Sequence, residues 1–213
     1  MTERLGSPLL DLLAVFAVVY AVQLVADFAN VTSGLFVLSD PVSDRPWTIL
    51  TSVYAHAGIN HLLTNAAALV VFGYAVAAAT TRLRFHLFFA VTGAIAGVSQ
   101  ILLTDILVGL PMVDATASAG VLGASGAVFA LLGYLLASNR LVAGLGLIAK
   151  VPRWLTVLVF VVLALALTYV TASAGAALVA HFTGLLLGLV AGQFNILRAS
   201  TARSPQPTTE TTR

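Results

Sequence analysis

The sequence contains no cysteine and very few charged residues, and both shortages restrict what the chain can be. Without cysteine it can form neither a disulfide framework nor a thiolate metal site. Charged residues make up 8% of the 213 residues, whereas globular proteins carry about 25%. A soluble fold of this size could not cover its surface with so few charges, so the lipid bilayer must be the solvent for most of the chain. The formal net charge of +2 is also too small to indicate a nucleic-acid partner.

Apolar runs fill the chain instead, and hydrophobic residues make up 60% of it. The predicted fold class is an all-α membrane protein with six transmembrane helices, at about residues 9–28, 61–79, 85–103, 124–137, 154–170 and 176–194. Crossing the hydrocarbon layer takes about 20 helical residues, and the fourth helix is too short. Non-helical backbone is tolerated inside a membrane only where it is buried in protein or lines a wet cavity. The short fourth helix therefore indicates a site.

The basic residues predict the orientation of the chain. Nine of the ten Lys and Arg residues lie on one side of a six-helix arrangement, and only Arg45 lies on the other. Because basic loops stay in the cytoplasm, both termini are predicted to be cytoplasmic. No cleavable signal peptide is recognised, so the first helix is interpreted as a retained anchor. The membrane domain is expected to span residues 1–197, followed by a disordered cytoplasmic tail at 198–213.

Four polar side chains are predicted to lie at one depth, in the outer third of the membrane. His61 and Asn65 begin the second helix, Ser125 begins the fourth, and His181 lies near the start of the sixth. Polar groups in lipid are costly and indicate function by default. Taken singly, Ser125 could be a small packing residue, His181 a buried histidine and Asn65 a bond between helices. Their common depth on three helices favours a joint role.

A serine and a histidine at one depth indicate a nucleophile and its base. A serine hydroxyl is a weak nucleophile until a base removes its proton, and imidazole is the usual base. The first N–H groups of a helix have no intrahelical partner, so Ser125 carries a donor suited to an oxyanion. His61 and Asn65 add side-chain donors. These residues predict acyl transfer, and they imply neither a metal nor a cofactor.

Three motifs, in order along the chain, resemble those of rhomboid intramembrane proteases. They are the pattern His56-x4-His61-x3-Asn65, then Gly-Ala-Ser-Gly at 123–126 followed by Phe129, and then the pattern Ala180-His181-x2-Gly184-x3-Gly188. The resemblance implies a minimal six-helix rhomboid of the prokaryotic form. It would be a serine endopeptidase that hydrolyses peptide bonds in or near the transmembrane segments of membrane-protein substrates.

In that family Ser125 would be the nucleophile and His181 its base, and no third acidic residue would be needed. His61, Asn65 and the amide of Ser125 would form the oxyanion hole. The ring of Phe129 would pack against His181, and three glycines would support the dyad: Gly123, Gly126 and Gly184. The protein would lie in the cell membrane, with its active site open to the extracellular side.

Three positions depart from the family pattern. Phe129 stands where tyrosine is frequent, Thr48 where arginine is common, and Ala77 where glutamate is common. For His56, two roles are open: support of the first loop, which is residues 29–58, and a part in catalysis.

Two rival functions belong to other classes. One is a non-catalytic rhomboid-like protein that binds transmembrane helices, although such proteins usually lack the serine or the histidine. The other is a small transporter, which would need polar residues that continue towards the cytoplasm. Segments 66–71 and 185–190 offer almost none.

Overall fold

The computed structural model describes residues 7–108, 120–138 and 177–198, together with Leu158 and Val162. Within these residues all regular secondary structure is helical. The helices are α1 (Pro8–Phe28), α2 (Thr32–Phe36), α3 (Thr48–Tyr54), α4 (Ile59–Ala79), α5 (Arg82–Val108), α6 (Ser125–Ser138) and α7 (Leu178–Gln193). The predicted all-α membrane fold class is therefore confirmed, apart from its helix count. Helices α2 and α3 lie in the first loop, where the sequence analysis placed none.

Three of these helices are long and apolar enough to cross a membrane: Pro8–Phe28, Ile59–Ala79 and the Arg82–Thr104 part of α5. Helices α6 and α7 are shorter, with 14 and 16 residues. The predicted fifth helix at 154–170 lies outside the described residues, except for Leu158 and Val162, which are both helical. The count of six therefore stays a prediction. The predicted tail also lies outside them, apart from Arg198.

Helix α6 is the central helix of the described bundle. It packs against α4, α5 and α7, and seven of its 14 residues are buried: Gly126, Ala127, Val128, Ala130, Leu131, Gly133 and Tyr134. By contrast, α1 and α4 expose large apolar side chains such as Val25, Val71 and Tyr74 on their outer faces. Lipid can cover those faces, whereas α6 is covered by protein.

Residues 120–124, which directly precede α6, are not helical, and hydrogen bonds join two of them to the first loop. Leu38 and Val121 exchange two backbone bonds of 3.0 and 2.8 Å, and the N–H of Gly123 donates to the carbonyl of Ser52 at 2.8 Å. Unpaired backbone groups inside a membrane would be costly. The first loop thus allows α6 to begin at Ser125 inside the protein, which explains its short length.

The first loop is itself held by side chains that bond to backbone carbonyls. The hydroxyl of Thr51 donates to Leu35 at 2.6 Å, and the Trp47 indole donates to Gly34 at 3.1 Å. Thr48, which stands where the family often has arginine, is buried and donates to Arg45 at 2.6 Å. Short local bonds therefore anchor the loop at this position.

At the opposite end of the bundle, basic side chains tie helices together. Arg82 of α5 binds both carboxylate oxygens of Asp11 in α1 at 2.6 Å, and His86 lies 3.1 Å from the same carboxylate. Arg84 donates to the carbonyl of Arg198 at 2.7 Å. These contacts join α1, α5 and the residues that follow α7.

Helices α6 and α7 touch backbone to backbone. A Cβ atom added to Gly184 would collide with the carbonyl of Gly126, and one added to Gly188 would collide with the carbonyl of Ala130. From the other side, a Cβ on Gly133 would collide with the carbonyl of Leu185. Small residues at helical spacing allow such close approach between membrane helices. This contact fixes the register of α7 on α6.

The α6–α7 contact can be tested with Gly188→Ala. The added methyl group has no space beside the Ala130 carbonyl, so we expect a loss of about 1–3 kcal/mol of stability. Thermal unfolding in detergent measures this loss. The matched control is Gly34→Ala, where the nearest atom to an added Cβ is Arg45 Cζ at 4.0 Å. Equal unfolding temperatures for the two variants would contradict the contact.

Candidate active site

Ser125 is the first residue of α6, and it lines a pocket between helices. The pocket is bordered by Gly123, Ser125 and Gly126, by Ser52 of α3, by Gly97 of α5, and by Ala180 of α7. Gly123 adopts a φ of +135°, a conformation that strongly favours glycine. This turn directs the chain into α6, whose first N–H groups have no intrahelical partners.

His181 lies in the first turn of α7, and its side chain is held by stacking. The residue is only 9% exposed. Its ring lies flat on that of Phe129, with centroids 4.5 Å apart and planes inclined by 10°. Within the described part of the chain Nδ1 has no hydrogen-bond partner, so no carboxylate there orients the ring. Phe129 therefore makes the contact that the family resemblance implies for it.

Residues near Ser125 on α6 contact His181 and its neighbour Ala180 on α7. Gly126 follows Ser125 and packs on Ala180, which precedes His181: a Cβ on Gly126 would lie 3.6 Å from the Ala180 carbonyl. One turn below Ser125, Phe129 stacks on the His181 ring. No hydrogen bond joins the two side chains among the described residues. Such bonds are often long without substrate and shorten in the reacting complex, so the dyad stays a prediction.

His61, near the start of α4, presents a defined face to the turn before Ser125. The N–H of Ala57 donates to its Nδ1 at 3.3 Å. A nitrogen that accepts a hydrogen bond carries no proton, so the neutral ring has its proton on Nε2 and can donate there. A Cβ on Gly123 would lie 3.0 Å from Nε2 and 2.7 Å from Cε1. Glycine at 123 therefore makes space for this ring.

Asn65 lies one turn further along α4 and is buried. Its Nδ2 donates one hydrogen bond, to the carbonyl of His61 at 2.9 Å. This bond stays within α4 and does not join two helices. An amide nitrogen carries two hydrogens, so the second remains available as a donor.

His56 is buried beside His61 and does not line the pocket. It is 2% exposed, and its ring contacts those of Phe16 and His61 edge to face, with centroids 4.9 and 5.3 Å apart. Neither ring nitrogen has a hydrogen-bond partner among the described residues. Burial, helped by the neighbouring His61, lowers the pKa of His56 to about 4. These contacts fit support of the first loop.

Two buried glutamines, which no sequence motif indicated, bond to the segments carrying His61 and His181. Gln23 of α1 makes two hydrogen bonds with the backbone of His56. Gln100 of α5 accepts a bond from the N–H of Ala180 at 3.1 Å, at the start of α7. A polar side chain within an apolar helix was the available signal. The sequence does not show which groups these side chains bind, since the partners are far apart in sequence.

The family model described as the rhomboid domain matches residues 43–198 of the chain. The match runs from the first loop to the residues that follow α7 and includes each predicted site residue. A search of curated proteins finds no match.

The burial of His56 predicts how stability depends on pH. Its pKa falls from an ordinary value of 6.5 to about 4 on folding, so below about pH 6.5 the unfolded chain binds a proton that the folded protein refuses. The contribution of His56 to the stability of the folded protein is complete above that pH and declines as the pH falls towards 4. We expect a lower unfolding temperature at about pH 5 than at about pH 7.5.

The variant His56→Phe keeps an aromatic ring against Phe16 and His61 but cannot be protonated. Its unfolding temperature should fall less between the same two pH values than that of the unmodified protein. Each protein is compared with its own unfolding temperature at the higher pH. A decline as steep as that of the unmodified protein would show that another group is responsible.

Proposed function

The chain belongs to the rhomboid family, and on this premise we propose that it is an intramembrane serine endopeptidase that cuts membrane proteins in or near their transmembrane segments. The observation that carries the proposal is the stack of His181 on Phe129, one turn from Ser125 across the tight α6–α7 contact. A serine at the start of a buried helix and an imidazole on the facing helix are suited to acyl transfer where the two groups meet.

In the first half of the reaction, the Ser125 hydroxyl attacks the carbonyl carbon of the peptide bond. His181 accepts the hydroxyl proton as the bond between Oγ and carbon forms. The carbonyl oxygen becomes an oxyanion, and His181 then gives its proton to the nitrogen of the leaving amine. The peptide bond breaks and leaves an ester on Ser125.

In the second half, water attacks the ester while His181 accepts a proton from it. The proton returns to Ser125 as the acyl group leaves, so the dyad is restored. The Phe129 stack supplies the ring orientation that a carboxylate supplies in a triad. The chemistry needs neither a metal nor a cofactor.

The oxyanion is proposed to receive three donors: the Nε2–H of His61, the free hydrogen of the Asn65 amide, and the N–H of Ser125. The hydrogen bond from Ala57 supports this role for His61, because it leaves the ring proton on Nε2. Donors fixed before the reaction stabilise the transition state without having to reorient.

The site is proposed to open to the extracellular side of a prokaryotic cell membrane, with both termini in the cytoplasm. Two observations support this orientation. Arg82, Arg84 and Arg198 lie at one end of the bundle, whereas His61 and Ser125 begin helices at the other. Basic ends remain in the cytoplasm.

The dyad is tested with Ser125→Ala and His181→Ala in a detergent-purified protein and a substrate with one transmembrane segment. Each change should lower the cleavage rate at least about a thousandfold, because neither group reacts without the other. A fluorophosphonate probe should label the unmodified protein and fail to label Ser125→Ala. The control Ser138→Ala, at the far end of α6, should cleave normally.

Undiminished cleavage by either dyad variant would refute the assignment. If the unmodified protein neither reacts with the probe nor cleaves, yet retains a transmembrane peptide, the non-catalytic rhomboid-like function would replace the protease.

The oxyanion hole is tested with His61→Ala and Asn65→Ala. Removal of one such donor typically lowers kcat by about 10²–10³-fold. Because the donors act in the transition state, KM should change little. Thr64→Ala is the control, since Thr64 is exposed on the same helix and bonds only to the carbonyl of Asn60. A rise in KM at constant kcat would instead indicate a role in substrate binding.

A further inference from the structure

We propose that Gln23 of α1 is a positioning residue for His61, which it orients through a single peptide group of the first loop; the proposal rests on the protease function above. Gln23 is 3% exposed and lies in a helix that contributes no residue to the pocket described above. Its side chain reaches the loop that precedes α4. The proposed reaction steps do not use this residue.

Gln23 binds both backbone polar groups of His56. Its Oε1 accepts from the His56 N–H at 2.9 Å, and its Nε2 donates to the His56 carbonyl at 3.2 Å. A primary amide is suited to this pairing, because it offers one acceptor and one donor side by side. An apolar side chain at position 23 would leave two buried backbone groups without partners.

The peptide group between His56 and Ala57 connects Gln23 to His61 through hydrogen bonds. The carbonyl of His56 and the N–H of Ala57 belong to one planar unit, and in a trans peptide they point in opposite directions. Gln23 holds the carbonyl on one side, while the N–H on the other side donates to Nδ1 of His61 at 3.3 Å. Because the unit is rigid, fixing its carbonyl also fixes the direction of its N–H.

This direction decides which nitrogen of His61 carries the proton. With the Ala57 N–H aimed at Nδ1, the proton is on Nε2, beside Gly123 and the start of α6. If the peptide group turned over, its carbonyl would favour a proton on Nδ1, and Nε2 could only accept. A ring in that form cannot donate to an oxyanion. Gln23 therefore keeps His61 in the reactive tautomer.

The first test compares Gln23→Leu with the unmodified protein. We expect kcat to fall about tenfold, less than for outright removal of a donor, with KM within about twofold, because His61 acts on the transition state. Thr92→Val is the control. Thr92 is also buried, but its hydroxyl bonds only within α5, to Phe88 and Phe89, so its kcat should be unchanged.

The second test uses Gln23→Glu, which separates positioning from general stability. A protonated carboxyl group can donate and accept as the amide does, whereas a carboxylate can only accept and repels the His56 carbonyl. The ratio of kcat in this variant to kcat in the unmodified protein should therefore rise as the pH falls. The titratable side chains near position 23, His56, His61 and Asp27, are present in both proteins, so the ratio removes the pH dependence that the two proteins share.

The third test reads the tautomer directly and needs no proteolysis. Nitrogen NMR of protein labelled with ¹⁵N-histidine should show Nε2 of His61 protonated, with the signals assigned by their loss in His61→Ala. In Gln23→Leu the protonated fraction should shift towards Nδ1. An unchanged tautomer together with unchanged kcat would overturn the proposal, and so would a loss of kcat with the tautomer unchanged.

Failure of the protease function has a different signature. In that case the unmodified protein would cleave nothing and would not react with the fluorophosphonate probe. A tautomer shift in Gln23→Leu would then still support the orientation of His61 by Gln23.

Discussion

The close contact between α6 and α7 is the constraint on which the rest of the site depends. Gly184 and Gly188 lie against the carbonyls of Gly126 and Ala130, so the two backbones meet with no side chain between them. Between helices in lipid there is little hydrophobic driving force, and complementary shape has to supply the attraction. Because the contact repeats at each turn, α7 cannot slide along α6 without collision. The register that results sets His181 on the ring of Phe129 and its neighbour Ala180 on Gly126.

The second constraint is that an unpaired backbone group inside a bilayer is costly. The candidate site lies where the backbone is not helical, so its backbone groups need partners elsewhere in the protein. Two such segments meet there, the turn before α6 and the end of the first loop. The carbonyl of Ser52 binds the first segment at Gly123, and the side chain of Gln23 binds the second at His56. Each non-helical segment is thus satisfied by a separate part of the protein. The helices that begin after these two segments, α4 and α6, carry the three donors proposed for the oxyanion.

The sequence was sufficient to predict those features that depend on hydropathy and local pattern. The all-helical fold, the short helix that begins at Ser125 and the long α1 and α4 all follow from runs of apolar residues. It did not predict α3, because seven residues with mixed polarity carry no clear period, nor the extension of α5 to Val108. The glutamines were visible as polar residues, but Gln23 binds a residue 33 positions away. Pairings of that kind depend on how the helices pack, which the hydropathy pattern does not contain. The Phe129–His181 stack came from family resemblance rather than from periodicity.

The stack also bears on how a dyad could function without a carboxylate. In the proposed mechanism His181 becomes a cation when it takes the proton of Ser125, and a buried cation is costly unless something compensates it. Within the described residues no hydrogen-bond partner meets Nδ1. What the cation would meet is the face of Phe129, at 4.5 Å between ring centroids. The face of an aromatic ring is electron-rich and attracts cations by about 0.5–2 kcal/mol, more when water is excluded. Phe129 would therefore orient the neutral base and stabilise its charged form with the same surface. A tyrosine hydroxyl lies at the ring edge, so its absence here leaves that attraction intact.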